Sequence, residues 1–270
     1  MTNDSVLWNL DARGVATVTL NRPAVNNAYD AQLLDGVMAA MDALGERTEL
    51  RVVVMVGAGR HFQAGADLAW LEAVAAQSAA ENLHASQLTA QVVHRLNTLP
   101  VPTVALVQGA CFGGGTGIVA ACDVAIAADN AQFSIAETRW GLMAGIIVPQ
   151  LADAIGARQL RRYALTGERF DAHEARRIGL VHEVVPTASL QSAGARVVDH
   201  LLQNAPQANA QTKALAIEYA WGDVSAQSYA RLVEQHAAKR QSVEASEGFA
   251  SFREKRPAAW YPGPAPTEEA

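Results

Sequence analysis

Val52-Val53-Val54-Met55-Val56, then Gly57-Ala58-Gly59-Arg60-His61, then Phe62-Gln63-Ala64-Gly65-Ala66-Asp67-Leu68, is the stretch on which the fold turns. Five consecutive apolar residues, four of them β-branched, predict a strand covered on both faces. The glycine-containing turn after it predicts a change to helix. The same grammar recurs downstream. Pro102 to Val107 reads as a second buried strand, running into Gly109-Ala110-Cys111-Phe112-Gly113-Gly114-Gly115-Thr116-Gly117, and Val124 to Ala128 reads as a third. Upstream, Val15 to Leu20 is a strand bounded by Gly14 and by Asn21-Arg22-Pro23. Asp30 is placed to cap a helix carrying Leu33, Leu34, Val37, Met38, Met41 and Leu44 at helical spacing, with Gly45 at its end.

Strands alternating with helices through residues 1–190 imply an α/β layered fold with largely parallel pairing. Residues 191–270 form a helical region, with candidates at Ala188 to Asn204, Ala208 to Tyr219 and Ala226 to Ala245. That region is either a subdomain or an arm for a neighbouring subunit. The segment from Pro257 on, with four prolines and Gly263, is expected to be irregular.

Bulk properties narrow the function. The chain has 270 residues, half of them hydrophobic, with 21 basic against 27 acidic side chains and a net charge of −6. An acidic chain without a Lys-rich helix or basic–aromatic interleaving speaks against nucleic acid and anionic membranes as partners. No apolar run reaches the roughly 18–20 residues of a bilayer span, and no signal peptide is evident, so a cytoplasmic location is expected. Cys111 and Cys122 sit in an apolar stretch and read as small buried hydrophobes rather than a disulfide pair. The seven histidines form no metal pattern; His173-Glu174 and His182-Glu183 both lack the second histidine of HExxH.

The two glycine turns carry the chemistry. Each lies where a strand ends and a helix begins, where backbone N–H groups are free and the helix dipole is positive. Two such turns can aim two donors at one carbonyl oxygen, as an enolate or oxyanion requires. The phosphate-loop reading fails because GxxxxGK[ST] is absent. Gly113, Gly115 and Gly117 give only an imperfect dinucleotide fingerprint.

Together, in order, these segments resemble the crotonase (enoyl-CoA hydratase/isomerase) superfamily over nearly the whole chain. The resemblance rests on Leu20-Asn21-Arg22-Pro23 with Asn27-Ala28, Phe62 to Leu68, and Gly113-Gly114-Gly115 with Ala121-Cys122-Asp123. Ala131-Gln132-Phe133 with Glu137 and Gly141-Leu142, Leu165-Thr166-Gly167, Gly179-Leu180-Val181, and Phe252 with Glu254-Lys255-Arg256 extend it. It implies a spiral of stacked ββα units with a C-terminal helical trimerisation region, and assembly as a homotrimer or hexamer. It implies an acyl-CoA substrate and no separate cofactor, coenzyme A being part of the substrate. By matching position, the carbonyl donors are the N–H groups of Ala66 and Gly114, and the acid–base residue is Glu137. Phe133, Ile135, Trp140, Leu142 and Met143 around Glu137 should raise its pKa by desolvation.

The family's hydratases use a second glutamate, two positions after the triple glycine; here that position is Gly117. Gly117 with Ala136-Glu137-Thr138-Arg139-Trp140-Gly141-Leu142 resembles the hydratases of 3-methylglutaconyl-CoA and its isohexenyl relative. Such a substrate bears a distal carboxylate, for which Arg139 is a candidate clamp. The alternatives are a Δ3,Δ2-enoyl-CoA isomerase using the same Glu137, a generic short-chain hydratase, and a non-catalytic scaffold. The resemblance also places Arg22, Arg60, Ala64, Leu68 and Lys255 near coenzyme A. Asp67 and Asp123 are expected to fix local structure.

Overall fold

In the central strands, successive side chains enter two different cores. Val53 and Met55, Ala105 and Val107, and Ala125 and Ala127 face one; Val52 and Val54, Val104 and Leu106, and Ile126 and Ala128 face the other. Side chains alternate across a strand, so a run without polar residues is what a sheet covered on both faces demands. The computed structural model describes residues 4–220 and 225–265. Its strands are β1 (Val6–Leu10), β2 (Val15–Leu20), β3 (Val52–Gly57), β4 (Thr103–Val107), β5 (Ala110–Phe112), β6 (Val124–Ala128), β7 (Gln132–Ser134), β8 (Phe170–Asp171) and β9 (Glu183–Val185). The main sheet runs β1-β2-β3-β4-β6-β9, parallel except for the β1–β2 hairpin. β5, β7 and β8 form a second, small sheet.

Helices close both faces. α1 (Ala31–Gly45), α3 (Ala79–Asn97), α4 (Gly114–Ala121) and α5 (Val148–Thr166) contribute buried apolar residues to the larger core. α2 (Leu68–Ala75) and α6 (Ala172–Ile178) are, like α4, only about two turns long. α5 is interrupted at Gly156, whose φ of 71° breaks the helical path. α7 (Leu190–Gln203) covers the opposite face through Leu190, Ala193, Val198 and Leu202. It approaches so closely at Gly194 that a Cβ there would lie 2.7 Å from Leu106 Cδ1. The helix that begins at residue 190 is thus part of the sheet's packing.

α8 (Pro206–Tyr219), α9 (Ala226–Arg240) and α10 (Val243–Glu254) follow, and α8 and α9 bury no residue within the chain. The single helix expected over Ala226 to Ala245 is two. The break comes at Gln241 and Ser242, where the Ser242 hydroxyl accepts the Ala245 N–H and starts α10. Residues 257–265 form neither helix nor strand, and the rest of the segment expected to be irregular lies outside the described residues. Among the described residues no helix is long and apolar enough to cross a membrane. Cys111 and Cys122 are buried, and burial pushes both thiols up, Cys122 to about 12.

Candidate active site

The first glycine turn is built from the Asn27 and Gln63 amides. The buried Asn27 side chain accepts the Arg22 N–H at 2.8 Å and donates to Ala58 O at 2.9 Å and His61 O at 2.8 Å. The buried Gln63 amide closes on Gly65 in both directions, at 2.9 Å each way. Along the turn, nearly every N–H is taken. Phe62 donates to Gln108 O, Gln63 to Ala110 O, Ala64 to Asn26 O, Gly65 to Gln63 Oε1 and Asp67 to Tyr29 O. The exception is Ala66, whose N–H has no acceptor among the described residues. The cause is a parallel bridge: Tyr29 donates to Gly65 O and accepts from Asp67, gripping the peptides on either side of Ala66. The N–H of Ala66 therefore points away from Tyr29.

The second turn has the same property. β5 hands the chain to Gly113, whose φ of 50° and ψ of −120° suit glycine alone. Phe112 donates to Gln63 O, Gly113 to Ser134 O and Thr116 to Gly113 O. Gly114 opens α4, and its N–H, like that of Gly115, has no acceptor among the described residues. The Tyr29 ring rests against Gly114, where a Cβ would lie 2.7 Å from Tyr29 Cε1. One residue thus fixes Ala66 through its backbone and abuts Gly114 through its ring.

Sheet register brings up the carboxylate. β5 and β7 pair in parallel, Phe112 opposite Ser134, so the residues that follow each strand emerge at the same end. Those residues are Gly113 and, three past Ser134, Glu137. A Cβ on Gly113 would lie 3.0 Å from Glu137 Oε1, so the carboxylate rests directly against this glycine. Glu137 Oε2 is buried without a hydrogen-bond partner among the described residues. Burial raises the pKa of Glu137, outweighing the hydrogen bond from its own backbone. The Tyr29 phenol is pushed up to about 12, first by burial and then by the charge of Glu137.

Ala66, Gly114 and Glu137 share the wall of a cavity of about 730 Å3. Ala64, Leu68 and Arg139 line it too, as do Trp140, Leu142 and Met143. Asp67 caps α2, accepting the N–H groups of Ala69 and Trp70. Asp123 accepts from Thr103 and pairs with Lys213 Nζ at 2.7 Å. The other residues expected at the ligand lie elsewhere or are paired within the chain. Arg22 is committed within the chain: its guanidinium lies 2.8 Å from Asp30 and 3.3 Å from Asp67 and donates to Ala28 O, tying the caps of α1 and α2 together. Gly117 is not on the cavity wall. It is buried against Ile147, whose Cγ2 would be 2.2 Å from a Cβ there, and Ile147 is on the cavity wall instead. Arg60 and Lys255 do not line this cavity; Lys255 caps α10 in the left-handed conformation, φ 55°. Sequence reasoning passed over Tyr29, Phe112, Ser134, Ile147 and Arg169, all on the wall. The spacing of Tyr29 to the turn it organises carries no sequence signal, because the contact crosses nearly forty residues.

Two N–H groups without acceptors among the described residues and a desolvated carboxylate share one cavity, an arrangement that can hold an oxyanion and pass a proton. The chain belongs to the enoyl-CoA hydratase/isomerase family, whose model matches residues 11–262. It is 35% identical over 196 residues to hydroxycinnamoyl-CoA hydratase-lyase of Pseudomonas fluorescens, covering 72% of this chain and 71% of that one. Among solved structures, an enoyl-CoA hydratase from Shewanella pealeana superimposes with a TM-score of 0.91 at 33% identity, covering 95% of this chain and 96% of that one. Pseudomonas aeruginosa AtuE does so with a TM-score of 0.91 at 34% identity, covering 95% and 99%. The mixed α/β architecture with a helical C-terminal region is that of the crotonase fold.

Proposed function

We propose that the protein hydrates the 2,3 double bond of a 3-branched glutaconyl-type enoyl-CoA, with Glu137 as its acid–base residue. The observation that carries this reading is Glu137 Oε2, buried and unpartnered on the wall that holds the free N–H groups of Ala66 and Gly114. A buried carboxylate oxygen without a donor is costly, so a ligand that supplies one is favoured there. The thioester oxygen accepts both N–H groups. Glu137 takes a proton from water as the oxygen adds to C3, and the two donors hold the enolate charge. Glu137, now neutral, returns the proton to C2, so one molecule of water is added and the carboxylate is restored. A raised pKa serves both halves of that cycle.

The glutaconyl reading draws on Gly117 and Arg139. Ile147 packs against Gly117, among the described residues Glu137 is the one carboxylate on the cavity wall, and Arg139 offers a cation to the substrate's own carboxylate. Assembly as a homotrimer or hexamer is supported by the C-terminal helices, which expose Tyr229, Val233, Phe249 and Phe252. The test is loss of absorbance on 3-methylglutaconyl-CoA and on crotonyl-CoA; turnover of crotonyl-CoA alone sinks the glutaconyl substrate. A Δ3,Δ2-enoyl-CoA isomerase is the second reading, favoured by the single carboxylate, since a 1,3-proton shift needs one acid–base group. Product analysis separates the two: a 3-hydroxyacyl-CoA for the hydratase, a shifted double bond for the isomerase.

A further inference from the structure

Among the described residues, three charged side chains line the cavity: Glu137, Arg139 and Arg169. Arg169 also borders a second cavity, with Glu168, Asp171 and Glu174, and each of these carboxylates is engaged elsewhere. Glu168 pairs with Arg162 at 2.8 Å, Glu174 binds Arg177 and the Tyr163 hydroxyl, and Asp171 caps α6 through the Glu174 N–H at 2.8 Å. No ion pair holds Arg169 among the described residues. Its guanidinium lies over the Phe112 ring instead, 5.1 Å from the centroid. A planar, weakly hydrated guanidinium stacks well and keeps its edge donors free. Phe112 precedes Gly113, the residue against which Glu137 rests, so the cation is moored close to the reacting end of the cavity.

Arg139 lines the same cavity and packs on the segment that leads to Arg169. Its stem packs on Gly167, where a Cβ would lie 2.8 Å from Arg139 Nε. Gly167 O accepts the Ser134 hydroxyl at 3.1 Å, which fixes the segment that leads to Arg169. Among the described residues, this cavity is thus lined by two guanidinium groups without ion pairs and by one carboxylate. The cavity is of the size that takes a small ligand.

We propose that Arg169 is a specificity residue that binds, together with Arg139, a carboxylate at the distal end of the acyl chain. The proposal rests on the reading of the substrate as a carboxylated enoyl-CoA. The other anion of an acyl-CoA, the nucleotide phosphates, has the same attraction for arginine, so the test separates the two. Binding of 3-methylglutaryl-CoA and 3-methylvaleryl-CoA is compared by calorimetry; the pair share coenzyme A and chain length and differ by a carboxylate in place of a methyl. The wild-type protein prefers the diacid. Arg169→Met, which keeps the stem, lowers that preference about tenfold, through the diacid arm, and Arg169→Lys restores part of it. An unchanged preference overturns the proposal, as does an equal loss in both arms, which assigns the guanidinium to coenzyme A. Absence of any wild-type preference overturns it too. The underlying reading is judged separately, by wild-type hydration of 3-methylglutaconyl-CoA. If that hydration occurs and Arg169→Met binds like wild type, the reading stands and this inference fails. If it does not occur but the diacid preference depends on Arg169, the carboxylate site stands and the hydratase reading fails.

Discussion

Restoring the second glutamate should not restore a second acid. Gly117 sits on the buried side of α4, and a Cβ built there meets Ile147 Cγ2 at 2.2 Å, Cβ at 2.8 Å and Cδ1 at 3.7 Å. The first contact is more than an ångström short of ordinary van der Waals distance. Ile147 is only 3% exposed and caps α5, so its backbone has little room to retreat. Overpacking of this kind costs about 1–3 kcal/mol, and a carboxylate driven into the same site adds about 1–3 kcal/mol for want of a partner. Gly117→Glu is therefore expected to lose about 3 kcal/mol, which lowers the unfolding midpoint by about 6–12 °C at roughly 2–4 °C per kcal/mol. Thermal and urea unfolding of Gly117→Glu, Ile147→Ala and the double variant supply the assay. Removing Cγ2 leaves only the Cβ contact, so the double variant should be more stable than the sum of the two losses allows, by about 1–2 kcal/mol. A Gly117→Glu protein as stable as wild type, with faster hydration of crotonyl-CoA, would refute the reasoning: the side chain would have found the cavity after all.

Three further outcomes follow from the same geometry. Because burial raises the pKa of Glu137, the folded state holds its proton to higher pH than the unfolded chain does, and stability falls as pH rises through the folded-state value. Glu137→Gln should thus be more stable than wild type at neutral pH, with the difference vanishing in acid below the unfolded carboxyl pKa; urea midpoints across pH check this, and a constant difference contradicts it. Asn27→Ala strips donors from the carbonyls of Ala58 and His61 and an acceptor from the Arg22 N–H, so a loss of about 2–3 kcal/mol is expected by denaturation. Gly114→Ala drives a methyl to 2.7 Å from the Tyr29 ring. Since Tyr29 also fixes Ala66, kcat should fall by about 10²–10³, the effect of losing a carbonyl-oxygen donor, with the unfolding midpoint as the control for folding.

What was legible in the sequence was whatever expresses itself locally. The apolar run Val52 to Val56 announces a strand because both its faces are covered, and the Gly113 turn announces a helix start because a positive φ needs glycine. Asp30 and its helix lie as the spacing predicts. β5 and β7, three residues each, and β8, two, are too short to show any period, yet they carry the register that sets Glu137 beside Gly113. Ser78 and Glu81 form a capping box at the start of α3, a signal that was available in the sequence and unused. Ile147 against Gly117 joins positions thirty apart and leaves no local trace. Arg22 was singled out by resemblance alone, and its pairing with Asp30 and Asp67, across eight and forty-five residues, had no local signal.

The central claim is that Glu137 moves the proton of an acyl-CoA enolate held by Ala66 and Gly114. It is tested most directly by following exchange of the α-hydrogens of the hydrated product in deuterated water, wild type against Glu137→Gln. The amide keeps the size of the side chain but cannot accept a proton. The account predicts that exchange and hydration both fall by about 10²–10⁴ while binding of the thioester persists. Exchange at more than a tenth of the wild-type rate would contradict it and move the acid–base role to another group on the cavity wall.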